Sequence, residues 1–279
     1  MARTRRKGGN LEVERAERLL LHEKKIAVFP TPERAVKALS CHVRFRRDRF
    51  PLSPEETGNG EEPSARAVTP SDSMSFLSRA GFPLTRFRPA GSEEEAVAAA
   101  KGIGFPVAVK MNSPDVTHKS DAGGVFLDVA DDAGVRAAFR AIRAAEGRLG
   151  ARAGGALVCA MASAGHEVIV GVTKDPQFGH AVMFGLGGIF VEVTKDVSFR
   201  VAPLSEKDAA EMIREIRGYR ALTGLRGKPA GDLDALRVLL LQLTTFLGSH
   251  PEVEEMDLNP VIVHARGLSI ADARVVLRT

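Results

Sequence analysis

The hydrophobic and polar positions of the chain change period several times, and each change marks an element. Helical spacing covers residues 72–80 and again Glu93 to Ile103, the second stretch opened by Ser92, a residue type whose hydroxyl satisfies the first free amides of a helix. Between them Phe82 to Phe87 reads as a strand. An apolar run, Val107 to Val109, ends on Lys110; a polar, Gly-bearing loop follows, then a second apolar run, Val125 to Val129. Asp131 opens a helix to about Gly147, and strands are expected near Ala156 to Met161, Glu167 to Thr173 and Ala181 to Gly185, the last two parted by the turn-forming Asp175-Pro176. Ser205 opens a helix toward Arg217, Asp232 a long amphipathic one to Leu247, and strands at Glu254 to Val263 and Leu268 to Val276 close the chain through Arg266-Gly267. Strand pairs interleaved with helices in this way predict an α+β domain with two lobes around a cleft.

Upstream, residues 1–10 carry no pattern, Leu11 to Lys25 reads as a helix, and Ile26 to Phe29 as a short strand. Thr31-Pro32-Glu33 supplies an N-cap, a proline at the first helical position and an early acid for a helix over Ala35 to Arg46. Pro51 to Pro70, rich in Pro, Gly, Ser and Glu, reads as a linker. The expected organisation is a basic leader over 1–50, a linker over 51–70, and one folded domain over 71–279.

Charge sharpens that division. Residues 1–50 hold 14 Lys and Arg against 6 Asp and Glu, whereas the other 229 hold 25 against 29, so the overall +4 belongs to the leader. No aromatic interleaving or base-reading module accompanies the arm, which argues against nucleic acid as a partner. No apolar run approaches the roughly 20 residues a membrane helix needs, and the Arg-rich start lacks a signal peptide's apolar segment. A cytoplasmic location is therefore expected. Cys41 and Cys159 stand alone, without metal-ligand spacing, and read as reduced thiols.

The chemistry concentrates after Lys110. A lysine leaving the last buried position of a strand can hold its ammonium over phosphates, and Gly123 and Gly124 let backbone N–H groups come close to an anion. The plain alternative is a hairpin with a snorkelling lysine. His118 lies between them; a neutral imidazole accepts a phosphoryl group and releases it readily, unless this is simply a surface residue. Mg²⁺ takes a few protein oxygens alongside nucleotide phosphates, and Asn259 at the end of one strand with Asp272 on the next presents two, with Asp257 on the same strand face as Asn259. Asn259-Pro260 as a turn and Asp272 as a strand-face acid are the alternatives. Lys119 and Arg200 are further sources of positive charge, without an assigned role.

The segment VAVKMNSPDVTHKSDAGGV resembles the nucleotide-binding motif of ADP-forming acyl-CoA (acetyl-CoA) synthetases, whose β part is an ATP-grasp domain, and the resemblance continues through GHEVIVGVTKDPQFG (165–179), FGLGGIFVEV (184–193) and MDLNPVIV (256–263). It implies a two-lobed ATP-grasp fold with a nucleotide cleft, ATP or ADP and Mg²⁺ as cofactors, and His118 as a phosphorylated relay. It implies nucleotide contacts from Lys110, Gly123, Gly124, Glu167, Gly187 and Gly188. In the similar succinyl-CoA synthetase β subunits an N-P and a later L-D-A motif hold the metal; here they read DLNP and IADA, at Asn259 and Asp272. AVFPTPERAVKAL (27–39) resembles the last strand and helix of the CoA-binding α part, so the leader is expected to be a remnant of that domain and a separate CoA-binding α subunit the partner. The implied activity is acyl-CoA + ADP + phosphate ⇌ carboxylic acid + ATP + CoA. Two alternatives remain: a nucleotide-binding regulatory module related to synthetase-like protein acetyltransferases, and a carboxylate-amine ligase, which would need no histidine.

Overall fold

The computed structural model describes residues 65–175, 178–188, 196–224 and 229–278; the leader and most of the expected linker lie outside them. Within the stretch read as linker, Ala65–Ala67 forms β1, and Pro70–Arg79 forms α1, capped by Thr69, whose hydroxyl accepts from the Asp72 amide. The folded body thus begins before residue 71.

Two antiparallel sheets carry the fold. The smaller has the order β2-β5-β3-β4, from Phe87–Ala90 (β2), Val107–Met111 (β3), Val125–Val129 (β4) and Ala156–Ala160 (β5). Glu93–Ile103 (α2) and Asp132–Leu149 (α3) pack with it around Val107, Val109, Val135 and Ile142, all fully buried. The caps are those the sequence announces: Ser92 accepts from the Glu95 amide, Asp131 from that of Gly134.

The larger sheet runs β1-β11-β9-β6-β7-β8, with β10 also on β9. Its strands are His166–Asp175 (β6), Gly179–Leu186 (β7), Val197–Val201 (β8), Val253–Val263 (β9), Leu268–Ile270 (β10) and Ala273–Arg278 (β11). Glu206–Glu215 (α4), Tyr219–Leu222 (α5) and Leu233–Ser249 (α6) complete this lobe. Its core gathers Leu236, Leu240 and Leu243 of α6, Met212 of α4 and Val170, Phe184 and Leu258 of the strands.

Two strand expectations need correction. Phe82–Phe87 is not a strand: Leu84 makes an isolated parallel bridge to Ile270, and regular pairing starts only at Phe87, opposite Cys159 of β5. The single closing strand is two, β10 and β11, interrupted at Ala271-Asp272, where the Ala271 amide bonds to Pro260 O and the Asn259 amide to Asp272 O. The break sets Asp272 in the wall of the site.

The sheets are stitched together at several points. Asn112, past the end of β3, accepts from the Ser71 amide at 2.8 Å and donates to Ser71 Oγ and Gly154 O. A side chain at 154 would put its Cβ 2.0 Å from Asn112 O, so glycine is required by close approach.

Candidate nucleotide and phosphate site

A cavity of about 490 Å³ opens against both sheets, and most of the chemistry-bearing residues line it. Lys110 comes from β3, His118 and Lys119 from the loop to β4, Glu167 from β6, Asp257 and Asn259 from β9, Asp272 from the break before β11, and Arg274 from β11.

The register explains the acidic side. Leu258 pairs with Ala273, and Asn259 donates its amide to Asp272 O at 3.1 Å, so the two expected metal-site residues are neighbours. Alternation puts Leu258 in the core and leaves Asp257 and Asn259 on the other face. Asn259-Pro260 lies within β9, so it is not a turn.

Asp272 is only 9% exposed. Its two oxygens accept from Lys119 Nζ at 2.7 and 2.9 Å, Oδ1 also takes the Ala273 amide at 2.9 Å, and Lys110 Nζ stands 3.5 Å from Oδ2. Burial pushes this carboxyl up, but the two lysines outweigh it and hold it below the ordinary range. Lys110 donates to Ala271 O at 2.8 Å, so its ammonium bridges from the small sheet to the large one. Asp257 shifts the other way: burial raises it, the hydrogen bond with Asn259 opposes, and the nearby Asp272 charge adds to the rise. Across the cavity, on β5 of the smaller sheet, burial pushes the Cys159 thiol up to about 11, with Lys110 pulling against it, so this cysteine is an inert packing group.

His118 is exposed on the cavity rim. The other described histidines each have a ring nitrogen engaged: His166 with Pro229 O, His180 with Val253 O, His250 with Glu252 and His264 with Ala164 O and Ser269. Only the His118 ring, among the described residues, has no hydrogen-bond partner, which leaves both nitrogens accessible.

The glycines behave differently from the sequence expectation. The Gly123 amide donates to Ser120 O at 3.0 Å and that of Gly124 to Lys119 O at 2.7 Å. Both amides therefore close the His118 turn and neither residue lines the cavity, which corrects their assignment as direct anion donors in this arrangement. The left-handed φ of +69° at Gly123 accounts for glycine there. Gly187 donates to Glu167 O at 2.7 Å, and a Cβ at Gly188 would stand 3.5 Å from Glu167 Oε2, so this pair supports Glu167 from behind. Arg200 is not in the site; it forks onto Glu215 and lies near Glu211 and Asp208.

Arg274 was not anticipated. Its register partner is Asp257, its Nη1 donates to Glu255 at 3.1 Å, and its Nε is buried without a partner. The signal available was the DAR sequence itself, a cation two residues beyond Asp272.

A metal-nucleotide fits this donor set. Among the described residues no three His, Cys, Asp or Glu side chains form a self-sufficient metal cage. Asn259 and Asp272 offer the two oxygens that suit Mg²⁺ when phosphates complete its shell, and the lysines with the orphaned Arg274 Nε suit an anion.

Two antiparallel sheets meeting at such a cavity match a known class: residues 61–277 fit the family model described as ATP-grasp domain. Subunit beta of acetate–CoA ligase (ADP-forming) I of Pyrococcus furiosus is 44% identical over 76% of this chain and 92% of its own length. Acetate–CoA ligase (ADP-forming) I of Archaeoglobus fulgidus is 41% identical over 96% of this chain, which spans 41% of that longer protein. Among solved structures, acetyl-coenzyme A synthetase 1 of Ca. Korarchaeum cryptofilum, in complex with coenzyme A, Ca-AMPCP and HgCl⁺, superposes with a TM-score of 0.73 at 46% identity, over 76% of this chain and 94% of that one. A second structure of that enzyme, holding coenzyme A and Mg-AMPPCP with its phosphohistidine segment pointing towards the nucleotide site, gives 0.65 at 44% identity over 76% and 93%. The chain belongs to the ATP-grasp family, in the group formed by the β subunits and β regions of ADP-forming acetate–CoA ligases.

Proposed function

We propose that this chain is the nucleotide-binding, phosphoryl-transferring part of an ADP-forming acyl-CoA synthetase and works with a CoA-binding α partner. The observation that carries the reading is the meeting of an unpartnered imidazole, two lysines and an Asn/Asp oxygen pair at one cavity. Support also comes from the relatives, which are ADP-forming acetate–CoA ligases, one of them a separate β subunit, and from a similar enzyme seen with Mg-AMPPCP.

In the ATP-forming direction phosphohistidine gives its phosphoryl group to ADP; the reverse is easier to assay. A His118 ring nitrogen attacks the γ-phosphorus, the bond to the β–γ bridging oxygen breaks, ADP leaves with that electron pair, and the displaced ring proton passes to water. Lys110 and Arg274 hold phosphate oxygens, Glu167 takes the nucleoside end, and Asn259 and Asp272 hold Mg²⁺. When bound, Mg²⁺ neutralises charge on the phosphates. The protein's share is positioning and charge compensation, since little covalent work falls to it.

The test mixes purified chain with γ-labelled ATP and Mg²⁺, then repeats the reaction with His118→Asn. Acid-labile, base-stable label that disappears in the variant is the expected result. ATP binding with no label in the wild type would favour the regulatory module instead.

A further inference from the structure

Asp272 is served by more cations than one carboxylate needs. Lys119 covers both oxygens at 2.7 and 2.9 Å, while Lys110 stays within 3.5 Å of Oδ2 with its own ammonium anchored on Ala271 O. Lys119 is also the residue next to His118. The turn that carries both is closed on itself: Ala122 donates to His118 O at 3.2 Å, Gly123 to Ser120 O at 3.0 Å and Gly124 to Lys119 O at 2.7 Å. At its near end Asp115 is forked by Arg152, within the small-sheet lobe. Among the described residues, Lys119 to Asp272 is the only side-chain hydrogen bond or ion pair from 113–124 to β9, β10 or β11 and the residues joining them. A preformed turn is therefore moored to the large sheet by a single ammonium.

We infer that Lys119 is a positioning residue, a displaceable counter-cation that moors the His118 turn on Asp272 and releases it when a divalent cation takes that carboxylate. The inference rests on the metal-binding part of the function proposed above. A buried carboxylate requires compensation, and Lys119 provides it at the place a divalent cation would occupy; both oxygens are already taken, so the two cations compete. Lys110 stays behind after the exchange, so Asp272 is not left alone while the cations change places. Metal binding and freedom of the turn are then reciprocally linked: whatever frees the turn tightens metal binding by the same factor.

The experiment uses the full chain and two readouts besides activity: amide hydrogen exchange over residues 114–124 and Mn²⁺ affinity from the free-ion EPR signal. In the wild type, Mn²⁺ alone should speed exchange in the turn. In Lys119→Gln the turn should exchange faster by about tenfold without metal, as expected for losing one charge-assisted hydrogen-bonded contact, and should no longer respond to Mn²⁺. Mn²⁺ should bind that variant more tightly by the same factor, about tenfold, and Lys119→Arg should restore the wild-type exchange. Unchanged exchange in Lys119→Gln, weaker Mn²⁺ binding there, or no rescue by arginine would each overturn the inference. A wild type that binds Mn²⁺ as expected yet takes no label from ATP would remove the phosphoryl-transfer reading and leave this one standing. Labelling at His118 with a turn indifferent to Lys119 would do the reverse.

Discussion

The two walls of the cavity are held in different ways. Asn259 and Asp272 sit between residues whose side chains are sunk in the larger core, Leu258 and Val261 of β9 around the first, Ile270 of β10 and Ala273 of β11 around the second, and backbone bonds join the chain segments at that point. Opposite them, His118 stands exposed on a turn whose described side-chain ties are Asp115 to Arg152 at one end and Lys119 to Asp272 at the other. The contrast assigns the work. On the function proposed above, the groups that would fix charge lie on a strand (Asn259) or in the short break between two (Asp272), and the imidazole that would meet a phosphorus atom and leave again is carried on a lightly held turn.

That division can be tested through stability, measured by urea denaturation. Asp272→Ala should be the most damaging change, since it takes the carboxylate from the buried Lys110 and the half-buried Lys119; losing one partner of a buried ion pair typically costs about 3–5 kcal/mol. Leu243→Ala, in the core beneath the same wall, should cost about 2–5 kcal/mol through lost burial and a residual cavity. On the turn side the effects should be slight. Arg152 holds the Asp115 carboxyl down, from the ordinary 3.8 to about 2, through its guanidinium and its backbone amide. A carboxyl depressed in the folded state stabilises above its unfolded value and loses that contribution as the pH falls through the folded one. Asp115→Asn should therefore narrow its gap to the wild type between about pH 4 and pH 2, by a small amount because the pair is exposed. His118→Asn should change stability least, within about 0.5 kcal/mol, as for a surface residue with no partners. If it were as destabilising as Asp272→Ala, the contrast between the walls would fail.

The sequence carried much of this. Caps at Ser92, Asp131, Ser205 and Asp232 are local signals, acting within three residues, and they placed four helices nearly to the residue. The convergence of Lys110, His118, Asn259 and Asp272 was legible only through family resemblance, the four ordered motifs together with the later IADA match at Asp272, because nothing in spacing alone brings residues 110 and 272 into contact. What could not be read was set by tertiary partners. Phe82–Phe87 has a strand's composition but meets only one bridge, at Leu84. Gly123 and Gly124 look like anion donors until Ser120 and Lys119 carbonyls claim their amides. Lys119 and Arg200 are equivalent in the sequence as spare positive charges; one meets Asp272, and the other is neutralised by the acids of α4.

The reach of Lys110 from β3 to the Ala271 carbonyl bears on how any ligand would be greeted. The cationic end is already coordinated, and so is the carboxylate beside it, so arrival of a polyphosphate exchanges old partners for new ones without first finding bare charge. In calorimetric terms such an exchange largely cancels in enthalpy, and the entropy of released water and side chains would then decide how tightly the nucleotide is kept.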